Sequence, residues 1–128
     1  MARSAAKKIE TELAVDDKIL EIVKKSLDDN KAEDVEVIDL RGKTSIASYM
    51  VVASGTSQRH VASLAEHLQE DLKKQGFVSS TEGEEKADWV LIDAFDVIVH
   101  IFKPEVREFY NLEKMWKALI TAKPEKVK

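Results

Sequence analysis

The chain has 128 residues, of which 44% are hydrophobic and 34% are charged, with a formal net charge of −4. This length suits one folded domain, and the balance of residue types excludes a wholly disordered chain. The sequence has no cysteine, which excludes disulfides and thiolate metal sites. It also has no excess of basic residues, so we expect no direct nucleic-acid readout.

The apolar runs of the sequence are far shorter than the roughly 18–20 residues of a membrane span. The first residues also lack the apolar core of a signal peptide, so we expect no membrane association and a cytoplasmic location. Residues 1–15 show no clear period, which predicts a flexible extension that is at most partly helical. The domain proper is expected at residues 16–120, followed by a basic tail at residues 121–128.

Helical spacing of apolar side chains from residue 16 predicts a first helix capped by Asp16 or Asp17. Residues 35–40 are rich in β-branched side chains and predict a strand. The continuously apolar run YMVVA at residues 49–53 is typical of a strand that is buried on both faces. A helix followed by two strands is therefore expected before the middle of the chain.

The turn SGTS at residues 54–57 precedes a second predicted helix, which Thr56 or Ser57 would cap and Gly76 would end. Residues 77–81 could form a further strand. After residue 102, Pro104 opens a short helix and Asn111 can cap another. With the hairpin described next, these elements predict a single α/β (α+β) domain: a mixed sheet of about five strands flanked by helices.

Residues 87–102 (ADWVLIDAFDVIVHIF) predict a β-hairpin with Ala94 and Phe95 as its turn, which places Trp89 opposite His100. Side chains alternate between the two faces of a strand, so the pairing sorts them into two sets. One face is purely aliphatic: Val90, Ile92, Val97, Val99 and Ile101. The other face mixes apolar and titratable groups: Trp89, Leu91, Ile98, His100 and Phe102, with Asp93 and Asp96 at its end.

This second face has two interpretations. It could be core packed beneath the C-terminal helix. It could equally be a docking surface, because large apolar groups with a few polar ones are typical of protein interfaces. The second interpretation makes the protein a binding module without a substrate.

Two features could instead indicate an enzyme. The turn at residues 54–57 could present backbone N–H groups to a phosphate, although neither a Walker lysine nor a GxGxxG spacing is present. Asp93 and Asp96 could form a carboxylate pair for nucleotidyl transfer, although aspartate is also common at turns and no third acid completes a metal site. We therefore expect no catalytic residue, cofactor or metal, and keep a nucleotide-binding or nucleotidyl-transfer enzyme as the alternative.

Five runs together resemble the ribosomal silencing factor family, RsfS, also called Iojap. They are IDLRGKTS (38–45), YMVVASGTSQRHV (49–61), ADWVLID (87–93), DVIVHIF (96–102) and R-x-F-Y-x-L-E-x-M-W (107–116). The resemblance spans about residues 16–119 and implies a nucleotidyltransferase-like shape without catalytic acids. It further implies a non-enzymatic repressor that binds protein fourteen of the large ribosomal subunit, blocks joining of the small subunit and lowers translation when nutrients are scarce.

The same resemblance implies that the second face of the hairpin docks on the ribosomal protein. Its apolar centre would be Trp89, Leu91, Ile98, His100 and Phe102, while Asp88, Asp93, Asp96 and Glu113 would face basic groups. A homodimer through this face is also possible when the protein is free. Many family members have glycine where this chain has Phe95, so either the turn differs or Phe95 offers the partner an additional apolar group.

Overall fold

The computed structural model describes the backbone of residues 2–121 and the side chains of residues 15–118. The helices and strands of this range are labelled in chain order: α1 (Ala2–Asp29), β1 (Glu33–Asp39), β2 (Tyr49–Ser54), α2 (Gln58–Lys74), β3 (Ser80–Glu82), β4 (Trp89–Ala94), β5 (Val97–Phe102), α3 (Pro104–Tyr110) and α4 (Leu112–Thr121). Thr121 is thus the last described residue, and the rest of the predicted basic tail lies outside the described range.

The described strands form one mixed sheet in the order β1-β2-β5-β4-β3. Strands β2 and β5 are parallel, and the other neighbours are antiparallel. This confirms the predicted single α+β domain with a five-stranded sheet. Strand β2 lies between two neighbours and is buried at every position, as its continuous apolar sequence predicted.

Helices α1 and α2 cover the aliphatic face of the sheet. All five residues predicted for this face are fully buried against apolar side chains of both helices: Val90, Ile92, Val97, Val99 and Ile101. Ser57 caps α2 by accepting a hydrogen bond from the backbone N–H of His60, and Gly76 follows the helix at φ +88°. The prediction for this face and for the ends of α2 is confirmed.

Helices α3 and α4 pack on the other face, but only above its β1-β2-β5 half. Val106, Leu112 and Trp116 contact a second apolar cluster that contains Met50 and Phe102. Beyond this cluster, Leu91 on β4 is half-buried, and Asp93 and the neighbouring strand β3 are largely exposed. The face is therefore core on one side and open surface on the other, so each of its two interpretations describes part of it.

The predicted start of the first helix is wrong. Helix α1 already begins at Ala2, because residues 2–15 are rich in alanine, lysine and glutamate, which favour helix. Asp16 therefore lies within the helix rather than at its N-cap, and its buried carboxylate accepts a 2.7 Å hydrogen bond from the Ser48 hydroxyl. The flexibility expected for residues 1–15 stays a prediction.

The predicted pairing of the hairpin is also wrong, by two residues. Its turn is Phe95-Asp96, so Ala94 pairs with Val97 and Trp89 lies opposite Phe102 rather than His100. A shift by two residues keeps every side chain on its predicted face, whereas a shift by one would have exchanged the faces. The other predicted strand in this region, residues 77–81, is the three-residue edge strand β3.

None of the helices in the described part of the chain is long and apolar enough to span a membrane.

Candidate functional site

Trp89, at the start of β4, is the centre of an aromatic cluster that reaches the surface. Its ring centroid lies 4.9 Å from that of Phe102 beneath it and 4.9 Å from that of Tyr110 on α3. Its indole Nε1 donates a 2.9 Å hydrogen bond to Nδ1 of His100 on the neighbouring strand. The half-buried indole is thus fixed by contacts on three sides, with part of its surface free.

His100 supports the indole rather than offering a surface of its own. Its side chain is 8% exposed, and this burial lowers its pKa from 6.5 to about 4. The imidazole is therefore neutral near pH 7, and because its Nδ1 accepts from Trp89, its proton is assigned to Nε2. A neutral acceptor at this position stabilises the observed orientation of Trp89.

The five residues of the predicted apolar centre differ in how accessible they are. Phe102 is completely buried and His100 nearly so, because α3 and α4 cover the β5 side of the face. These two side chains offer a partner no appreciable surface, which corrects their predicted role as contact residues. Trp89, Leu91 and Ile98 are half-buried and keep some surface accessible.

The four predicted acidic contacts lie in different places and environments. Asp88 adjoins Trp89 and accepts a 2.8 Å hydrogen bond from the Gln58 side chain. Asp93 and Asp96 are exposed but lie toward the hairpin turn, at the opposite end of β4. Glu113, which the resemblance implied would face basic groups of the partner, is largely buried and accepts two hydrogen bonds from Arg107 of its own chain.

Arg107 connects the C-terminal helices to the sheet. Its guanidinium donates to Glu113 on α4 at 2.7 and 2.8 Å and to the Ser54 hydroxyl at the end of β2 at 2.9 Å. The Arg107 hydrogen bonds lower the pKa of Glu113 to about 2, so this carboxylate is ionised at neutral pH. The pairing fixes the position of α3 above the sheet.

Helix α3 contributes two aromatic residues that the sequence analysis did not select. Phe109 is 81% exposed and Tyr110 is 51% exposed, and their rings are 5.1 Å apart. Together with Trp89 they border a groove of about 860 Å³ between α3 and the loop at residues 83–88. The sequence offered no signal for their exposure, since consecutive residues of a helix can both be buried, as Leu64 and Ala65 are on α2.

The alternative enzyme site is not assembled. The Ser54 hydroxyl accepts from Arg107, and the backbone N–H groups of Gly55 and Thr56 donate to Phe102 and His60. The hairpin turn with Asp96 lies at the other end of β2 and β5, about 16 Å away for five residues of strand. Among the side chains described, no group of three or more His, Cys, Asp or Glu is placed to hold a metal.

Comparisons with known proteins identify a single family. The family model described as "Ribosomal silencing factor during starvation" matches residues 6–128. A ribosomal silencing factor from Zymomonas mobilis is 54% identical over 99 residues, which are 77% of this chain and 74% of that protein. "Mitochondrial assembly of ribosomal large subunit protein 1" from Mus musculus is 34% identical over 89 residues, 66% of this chain and 39% of that protein. A crystal structure from Chromobacterium violaceum has a TM-score of 0.77 and 38% identity, covering 84% of this chain and 88% of that one.

Proposed function

Because this chain belongs to the ribosomal silencing factor family, we propose that it silences translation by occluding the large ribosomal subunit. It binds protein fourteen of that subunit on the side where the small subunit docks, so the two subunits cannot join. The choice of subunit is supported by the name of the mouse relative, which refers to the ribosomal large subunit. The role is regulatory and needs no catalytic residue.

The observation that carries this proposal is the half-exposed aromatic cluster of Trp89 and Tyr110. Trp and Tyr are enriched among the residues that dominate binding energies, particularly where neighbouring groups hold them in place. Here Phe102 and His100 fix the indole from below, so little side-chain entropy is lost on binding. Phe109 adds a largely exposed aromatic ring beside them.

The charge around the cluster fits a ribosomal protein. Such proteins contact RNA phosphates and are therefore rich in lysine and arginine. Acidic residues border the cluster, among them Asp88 and Glu105, and Asp93 and Asp96 lie farther along the same sheet. Opposite charges at the rim of an interface mainly accelerate association and set its orientation. A homodimer through the same surface would compete with the ribosome and stays a prediction.

The proposal is tested by co-sedimentation of the purified protein with isolated large subunits at low salt, followed by addition of small subunits. The test variants are Trp89→Ala and Phe109→Ala. The control is Ile46→Ala, which removes a side chain that is 60% exposed in the loop at the opposite end of β2. Circular dichroism establishes that each variant is folded.

We expect the wild-type protein to pellet with large subunits and to reduce joining, and Ile46→Ala to behave in the same way. Trp89→Ala should weaken binding by about 2 kcal/mol or more, which is roughly 30-fold. Phe109→Ala should also weaken binding. Because the Phe109 side chain is largely exposed, its removal should leave the fold intact, so a loss of binding by this variant reports a lost contact with the partner. Failure of the wild type to pellet contradicts the partner, whereas full binding by both folded test variants contradicts the surface.

A further inference from the structure

The groove between α3 and the loop at residues 83–88 has walls of different chemistry. One wall is aromatic, formed by Trp89 and Tyr110, whose ring planes are inclined at 44°. The other surfaces carry four carboxylates and one lysine: Glu84, Glu85, Asp88, Glu105 and Lys86. Aromatic faces beside carboxylates attract cations, because the π-system and the acids both present negative charge.

The protein already places one of its own cations at one end of this groove. Lys103 Nζ lies 2.9 Å from Glu105 and 3.8 Å from Asp88, so these acids are partly neutralised. Glu84 accepts a hydrogen bond from the Thr81 hydroxyl. Glu85, in contrast, is exposed and makes no hydrogen bond or ion pair with another residue in the described part of the chain. Negative charge is therefore available at the Glu85 end.

We propose that this groove is the subsite for an arginine side chain of the ribosomal partner. The guanidinium stacks on the exposed ring of Tyr110 and pairs with Glu85, while its aliphatic stem lies along Trp89. Arginine fits better than lysine, because its planar, weakly hydrated guanidinium can stack on a ring and bind a carboxylate at the same time. The identity of the donor protein rests on the proposed function, whereas recognition of the cation does not.

Recognition of the cation can be measured without the ribosome. The two tryptophans, Trp89 and Trp116, give separate indole N–H signals in a ¹H–¹⁵N NMR spectrum of the full chain. Titration with N-acetylarginine amide should shift the Trp89 signal and leave that of Trp116 unchanged, because Trp116 lies on α4 and packs against the second apolar cluster. N-acetyllysine amide should shift it less, and N-acetylglutamine amide, a neutral probe, should have no effect. Equal shifts with the neutral probe, or none with arginine, overturn the proposal.

Two charge changes should act in opposite directions. Glu85→Gln removes the available carboxylate and should weaken binding of the arginine probe about threefold. Lys103→Gln removes the resident cation and its ion pairs with Asp88 and Glu105, and should strengthen binding by a similar factor. Asp28→Asn, an exposed acid on α1, is the control and should change nothing. A Lys103→Gln variant that binds the probe no better than wild type contradicts the assignment.

Co-sedimentation then distinguishes the two proposals. If the wild type pellets with large subunits and Glu85→Gln and Lys103→Gln change that affinity in the same directions as for the probe, the arginine belongs to the ribosomal partner. If the wild type pellets and both variants bind like wild type, the subsite is not used there and this inference fails while the proposed function stands. If the wild type binds arginine but does not pellet, the proposed function fails and the donor assigned here fails with it.

Discussion

One cross-strand hydrogen bond determines how the central tryptophan is presented. Trp89 and His100 lie on the same face of neighbouring strands, and the neutral imidazole accepts the indole proton at 2.9 Å. If His100 were protonated, it would lose this acceptor and carry a charge in a buried site. The residue predicted as a contact thus acts as a support, and its protonation state links the surface to pH.

This linkage predicts that acid destabilises the fold through His100. Its pKa is about 4 in the folded protein and near 6.5 in the unfolded chain, so between these values the unfolded chain binds the additional proton. The free energy of unfolding should therefore fall as pH decreases, by about 2 kcal/mol between pH 7 and pH 5. His100→Gln keeps an acceptor without titrating and should reduce this fall. Urea unfolding of both proteins at pH 7 and at pH 5 measures the change in the free energy of unfolding.

His67→Gln is the control for this prediction, because His67 is an exposed histidine on α2. It should leave the difference between pH 7 and pH 5 as in the wild type. The comparison does not go below pH 5, so that the Glu113 carboxylate, whose pKa Arg107 lowers to about 2, remains ionised in the folded protein. If the two histidine variants show the same pH dependence, the assigned role of His100 is wrong.

At the scale of elements, the hairpin shows what a pattern can and cannot predict. Alternation assigned the residues of β4 and β5 to their correct faces, apart from Ala94, which was expected in the turn, because the assignment depends only on the period of two. It could not choose between turns two residues apart, since both give the same faces. The observed turn gives Phe95 a φ of +57°, which a phenylalanine disfavours, and Asp96 accepts backbone hydrogen bonds from residues 48 and 49. Contacts distant in sequence therefore decided the turn.

The strained turn leads to a prediction on stability. Phe95→Gly and Phe95→Ala both remove the ring, which is 59% exposed and packs edge-on against Phe77 at 5.9 Å. Only glycine also relieves the positive φ, so Phe95→Gly should be about 1 kcal/mol more stable than Phe95→Ala. Thermal unfolding of the two variants measures the difference. Equal stability would mean that the turn carries no strain at this residue.

At the scale of the whole molecule, the sequence could not predict how much of the second face of the sheet the C-terminal helices α3 and α4 cover. Composition and periodicity predicted one domain, a mixed sheet and its aliphatic face. The extent to which α3 and α4 cover the second face depends on Arg107, which contacts Ser54, a residue 53 positions away in the chain. A hydrogen bond between residues so far apart in sequence leaves no local pattern. Trp89 could therefore be selected from the sequence, whereas the burial of Phe102 and the exposure of Phe109 could not.

The exposed acidic groups and the aromatic cluster should affect different steps of binding, which leads to a prediction about kinetics. The net charge of −4 and the exposed acids should steer the protein toward a basic partner, while Trp89 and Tyr110 hold the complex together. Raising the salt concentration screens the exposed charges, so association with immobilised large subunits should slow strongly, while dissociation should speed up only slightly through screening of the pair that Glu85 makes with the arginine. Phe109→Ala should have the reverse effect and mainly speed dissociation, because it removes contact area without changing charge. If salt instead accelerates dissociation and leaves association unchanged, the acidic groups in general, and not Glu85 alone, are paired within the interface and do not act as a steering rim.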